Sequence, residues 1–185
     1  ARSTARHVTY MEKAIGEMDI NRCNSLILRI IAVGRLREKH WQDAAADFAR
    51  RLRPYARLVI EEVAEARIKD NLSAAEEEKV IREEGHDIAG RLGKHNGPVV
   101  VLDRAGNALD SMELAAWIND ATLEGAGEVA FVIGGPLGLA PEIIRRADLL
   151  LSFSRMTFPH QLMRVILLEQ IYRSYRIMRG EPYHR

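Results

Sequence analysis

Five short runs rich in branched apolar residues recur along this chain, with room for one helix between each successive pair. They are LILRIIAV (Leu26 to Val33), RLVIEEV (Arg57 to Val63), PVVVLD (Pro98 to Asp103), EVAFVIGG (Glu128 to Gly135) and DLLLSFS (Asp148 to Ser154). Runs of this length read as strands, and PVVVLD lacks polar alternation, as a parallel strand covered on both faces does. The intervening segments carry the helical period. EKHWQDAAADFARRL places Trp41, Ala45, Phe48 and Leu52 on one face, with Pro54 as a stop. Ser73 and Glu76 stand at capping-box spacing, as do Asp110 and Glu113. A short helix is expected from Pro141 and a long last one from His160 to Met178. Strands alternating with helices predict an α/β fold, a mainly parallel sheet with flanking helices.

No repeat, low-complexity tract or linker divides the chain after Leu26, so residues 26–185 are read as a single domain. Residues 1–25 lack apolar periodicity and are read as an extension, disordered or added to the domain. The composition, 47% hydrophobic and 29% charged, is enough to bury a core. There is no run of about 18 apolar residues and no signal-type apolar segment, so no membrane partner is expected and a cytoplasmic location is. Cys23 is the single cysteine, which excludes an internal disulfide and a cysteine-rich metal site. No HExxH pattern or GxSxG elbow occurs, so no metal is expected. His7, His40, His86 and His95 are scattered and read as surface residues.

Net charge is only +1, but it is unevenly spread. Glu61 to Gly90 holds ten acids and four bases, while Arg145 to Arg185 holds eight arginines, no lysine and three acids. Such a basic end can face phosphates, and it can equally be a solvated helix surface.

Ligands of parallel sheets gather at the C-terminal ends of strands. Three such ends stand out: VLDRAG (Val101 to Gly106), IGGPLGLAP (Ile133 to Pro141) and SFSRMTFPH (Ser152 to His160). Gly134, Gly135 and Gly138 allow close backbone approach or positive φ, in an ordinary turn or a ligand loop. The spacing is neither GxGxxG nor a phosphate-binding P-loop, and no acidic residue follows as a dinucleotide site requires. The apolar content of SFSRMTFPH points to a pocket wall or to core packing, and His160 to a helix cap or a pocket residue. In the last helix every residue from Leu162 to Leu168 except Arg164 is apolar. One face can cover the sheet, and a second copy of the chain is the expected cover for the other.

LRIIAVGRLREKHW, VIGGPLGL and LSFSRMTFPHQLMRVILLEQIYRSYRIMRGEPYHR together closely resemble the large-subunit ribosomal RNA pseudouridine N3-methyltransferases. These belong to the SPOUT superfamily, whose C-terminal part carries a trefoil knot. The resemblance spans about Leu28 to Arg185. It implies S-adenosyl-L-methionine as cofactor, a homodimer through the C-terminal helix, and large-subunit rRNA, on assembled ribosomes, as substrate. The cofactor contacts it implies fall on Leu102, Gly134, Phe153, Ser154, Arg155, Met156, Thr157 and Phe158.

The implied reaction is in-line methyl transfer to N3 of a pseudouridine, an imide that must lose its proton. The terminal PYHR would then be catalytic instead of a frayed end. His184 is the candidate base, since an imidazole titrates near pH 6.5. Arg185 and Arg155 would stabilise the anion or hold phosphate, and Tyr183 would stack on the base or donate a hydrogen bond. The chain has no appended RNA-binding module of RRM or KH pattern, so a compact dimer is expected to read a shaped substrate. The alternatives are a knotted methyltransferase for another RNA nucleotide and a non-catalytic ribosome-binding dimer.

Overall fold

The computed structural model describes residues 26–66, 71–93 and 95–183. The expected extension over residues 1–25 lies outside them, as do His184 and Arg185. The elements follow the expected alternation: β1 (Ile27–Val33), α1 (Lys39–Leu52), β2 (Arg57–Val63), α2 (Ala74–Leu92), β3 (Val99–Ala108), α3 (Ser111–Leu123), β4 (Glu128–Ile133), α4 (Pro141–Ile144), β5 (Leu149–Ser152) and α5 (His160–Met178). All five strands are parallel, in the order β2-β1-β4-β3-β5. Every strand therefore delivers its C-terminal end to the same edge of the sheet.

Side chains alternate across a strand, so each strand feeds two cores. Leu28, Ile30 and Ala32 of β1 join Val129 and Phe131 of β4 on one face, under α1, α3 and α5. Ile31 and Val33 join Ala130 and Val132 on the other, under α2 and α4. Both faces are covered, which is why the strand sequences carry so little polar alternation. Both capping boxes form. Ser73 and Asp110 accept from the backbone three residues on, while Glu76 and Glu113 reach back. Each such cap stabilises its helix by about 1 kcal/mol.

Two expectations change. The strand expected to end at Asp103 continues to Ala108. Leu102 and Asn107 both pair with Leu151, so residues 103–106 loop out as a bulge before pairing resumes. His95 is not a surface residue: its side chain is 1% exposed. Its Nδ1 lies 3.2 Å from Glu128 and its Nε2 3.3 Å from the Pro98 carbonyl. Two polar partners at a sheet edge make burial of an imidazole tolerable.

Candidate active site

The three unusual strand ends converge. β3, β4 and β5 are adjacent in the sheet, and their C-terminal ends enclose a cavity of about 750 Å³. Its walls are Leu102 to Arg104 from β3 and its bulge, Ile133 to Leu139 from the loop after β4, and Leu151 to Ser154 with Met156 to Pro159 from β5 and beyond. His160 and Met163 of α5 complete it. The size suits a small organic ligand, for which cavities of roughly 300–1,000 Å³ are usual.

Local chemistry explains the walls. A Cβ on Gly134 would lie 2.6 Å from Leu139 Cγ, and Gly138 has φ +93, so this loop folds back on itself only with glycine at both places. The bulge is held by Asp103, whose carboxylate accepts from the Ala105 amide at 2.7 Å. Buried Ser152 joins two walls, its hydroxyl lying 3.2 Å from the Arg104 carbonyl and 3.1 Å from that of Ser154. Ser154 in turn accepts from the Met156 amide at 3.0 Å. The result is a small, internally hydrogen-bonded loop that presents Met156, 73% exposed, and Phe158, 37% exposed, at the rim. Large apolar side chains left uncovered beside a cavity can lie against a flat apolar ligand.

Of the residues singled out in the sequence, Leu102, Gly134, Phe153, Ser154, Met156, Thr157 and Phe158 line this cavity. Arg155 does not; it is exposed beyond the lining. His160 is no cap, for the N-cap is Pro159 and no side chain bonds the first turn of α5. It faces the cavity instead, with Nε2 3.8 Å from Glu65.

Sequence reasoning missed a polar latch behind this wall. Arg164, 1% exposed, pairs with Glu62 at 2.7 Å and donates to the Gly34 carbonyl at 2.7 Å. The Arg37 amide donates to Gln161, and its guanidinium to Glu65 at 3.2 Å. The start of α5 is thus tied to the ends of β1 and β2. A charged residue at a single position in an apolar helix was the available signal.

Tyr183 lies elsewhere. It packs on α5, with its hydroxyl 3.2 Å from Glu169 and its ring edge-on to Tyr172 at 5.0 Å. Helix α5 is unevenly covered. Leu167, Leu168, Ile171, Tyr175 and Met178 are buried within the chain, in the core shared with α1 and α3. Leu162 and Ile166, one turn apart, stay only half-covered and join neither core. Among the described residues, no three histidine, cysteine, aspartate or glutamate side chains cluster as metal ligands would, and no helix is long and apolar enough to cross a membrane.

A family model described as "Predicted SPOUT methyltransferase" matches residues 26–184. The chain is 48% identical over 158 residues to the ribosomal RNA large subunit methyltransferase H of Carboxydothermus hydrogenoformans, a match covering 85% of this chain and 99% of that protein. It is 52% identical over 160 residues to the protein of the same name from Moorella thermoacetica, covering 86% and 99%. A third, from Bifidobacterium adolescentis, is 48% identical over 158 residues, covering 85% and 99%.

Proposed function

The chain belongs to the SPOUT methyltransferase family, and from that premise we propose that it methylates N3 of a pseudouridine in large-subunit ribosomal RNA, with S-adenosyl-L-methionine as methyl donor. The observation that carries this reading is the cavity itself. Seven of the eight residues expected to touch the cofactor come from three separate strand ends and line one space. Relatives named as large-subunit rRNA methyltransferases match along almost their whole length. A cytoplasmic location belongs to the same proposal, since that is where a ribosomal substrate is met.

The residues present fit such a cofactor. The glycine loop lets backbone approach closely, and the apolar rim offers Phe153, Met156 and Phe158 to a purine. When bound, the cofactor supplies an electrophilic methyl on a sulfonium, so the step needs no metal. The protein then has to hold the target base in line with that methyl and to manage the imide proton. His184 is the base in this proposal, and Arg185 and Arg155 stabilise the negative charge that develops on the nucleobase. Arg155, exposed beyond the lining, meets RNA phosphate or the base in this proposal.

The protein acts as a homodimer in this reading, paired through the first half of α5. Half-covered Leu162 and Ile166, four residues apart in α5, lie on one face of the helix and leave an apolar surface for a second copy. Tyr183 is tethered away from the cavity of its own chain, which favours a tail that serves the partner's cavity. Threading of the C-terminal part as a trefoil knot belongs to the same proposal. It is supported by the family match over residues 26–184.

The test pairs cofactor calorimetry with methylation of ribosomes that carry pseudouridine or uridine at the target. Binding with methylation of only the pseudouridine form is the expected result. Methylation of both forms would point to another nucleotide specificity, and no cofactor binding would leave a ribosome-binding dimer. His184→Ala, and deletion after Tyr183, should keep cofactor binding and lose turnover.

A further inference from the structure

Helix α2 meets the glycine loop of the cavity at two successive residues. A Cβ on Gly85 would lie 2.4 Å from the Ala140 Cβ, and a Cβ on Gly135 would lie 2.7 Å from Glu84 Oε2. At Gly85 helix and loop approach closer than a larger residue there would permit, while beside Gly135 the Glu84 carboxyl fills the space. Into this seam the chain places a carboxyl group. Glu84 is 4% exposed, among Val33 and the apolar side chains of the second core.

Its two oxygens are treated differently. Oε1 accepts from the Ala66 amide at 3.1 Å. Oε2, next to Gly135, has no hydrogen-bond partner among the described residues. Burial pushes this carboxyl up from its usual range, and the Glu65 charge adds to that, against the opposing Ala66 hydrogen bond. A buried carboxyl with a free oxygen lowers stability compared with an apolar residue of the same size. Its presence calls for a reason other than stability.

The reason lies in what Glu84 joins. Gly135 forms one wall of the cavity. Ala66 follows Glu65, whose carboxylate faces His160 in another wall and is held by Arg37. One side chain thus bridges the supports of two walls. On the reading of the cavity as a cofactor site, we propose that Glu84 is a positioning residue that sets the spacing between the glycine loop and the Glu65–His160 wall. It acts through Ala66 and Gly135, without entering the cavity.

The test measures S-adenosyl-L-methionine affinity by calorimetry, kcat and KM for the cofactor, and Tm, in wild type, Glu84→Gln and Glu84→Met. Glu84→Gln keeps the acceptor for Ala66 and should bind within about threefold of wild type. Glu84→Met keeps the volume but loses the acceptor. Its Tm should equal or exceed that of wild type, while KM for the cofactor rises about tenfold and kcat changes less. Loss of affinity in both variants at unchanged Tm also supports the proposal and assigns the effect to the charge. Wild-type affinity in Glu84→Met overturns it, as does loss of affinity in both variants together with a fall in Tm. Should Glu84→Met not fold, Glu84→Asp carries the test: it keeps the carboxyl but is one methylene too short to span the seam. An unchanged KM there overturns the proposal. Failure of the wild-type chain to bind the cofactor would remove the reading of the cavity and this inference with it; wild-type binding with unaffected variants removes the inference alone.

Discussion

The Tyr183 hydroxyl donates to Glu169 Oε1 at 3.2 Å, so the chain leaving α5 turns back along the helix it has just completed. The Arg173 guanidinium stacks 4.9 Å from the Tyr183 ring centroid. Glu181 adds a second anchor, accepting from the Tyr55 hydroxyl at 2.6 Å and pairing with Arg176 at 2.8 Å. The cavity reaches α5 at His160 and Met163, whereas Tyr183 bonds Glu169 and packs on Tyr172, farther along the helix. At the helical rise these partners lie about 9–14 Å beyond Met163. The anchor of the tail lies past the cavity along one helix.

A tail working across a dimer makes a complementation experiment decisive. His184→Ala spoils the tail, and Gly134→Val spoils the cavity, since its Cβ would meet Leu139 at 2.6 Å. Mixed at equal amounts and allowed to exchange subunits, the two inactive variants should recover about a quarter of wild-type activity, one working site in each mixed dimer. No recovery, with subunit exchange verified, would show that each tail serves its own cavity.

The tether should release in alkali. Burial, then the neighbouring Glu169, raises the Tyr183 pKa above its ordinary 10.0. A group raised on folding contributes stability that is whole below its unfolded value and is lost as pH climbs through the folded one. Ultraviolet titration should show Tyr183 ionising later than a free tyrosine, with the tail becoming protease-sensitive in the same range. Tyr183→Phe should lower the pH at which the tail is cut.

Ser152→Ala should act on the cavity more than on the fold. The hydroxyl joins the bulge after β3 to the loop after β5, and both are cavity walls. Removing one such bond costs about 1 kcal/mol of stability. Cofactor affinity is expected to fall by roughly fivefold to tenfold, since two walls lose their common support. An unchanged affinity would show that the walls are held independently.

On the acid side, Glu128 should govern part of the stability profile. Burial works to raise its pKa, but the hydrogen bonds from Arg29 and His95 prevail and hold it below the ordinary 4.5. A carboxyl lowered on folding contributes stability that is whole above its unfolded value and is lost as pH falls through the folded one. Glu128→Gln should therefore reduce Tm at neutral pH and flatten its decline below about pH 4.5. Equal slopes for variant and wild type would remove Glu128 from the acid transition.

How far the chain could be read in advance depended on the range of the interactions concerned. The caps at Ser73 and Asp110 each involve residues three apart, and both form as their spacing predicts. The bulge at residues 103–106 could not be seen in that way, because pairing resumes at Asn107 only where Leu151 of β5 supplies an edge. His95 shows the same limit: its burial depends on Glu128, 33 residues away. The His160 side chain could have been a cap by position, and became a cavity residue because Glu65 and Gly34 lie beside it.

By itself the sequence determined the order of strands and helices, the parallel α/β class and the three strand ends where a ligand would gather. Those follow from local period, from capping chemistry and from the need to bury both faces of an apolar strand. Only the tertiary structure decided that β3, β4 and β5 stand side by side, that Arg155 lies outside the cavity lining while His160 faces inward, and that Glu84 fills the seam behind Gly135. It also decided that Tyr183 is held on α5, so that a residue close to the chain end is tethered in place. The physical reason is common to all four. Strand order, close approach of two glycine-bearing segments and burial of a charge are each set by partners distant in sequence, whose separation no local pattern records.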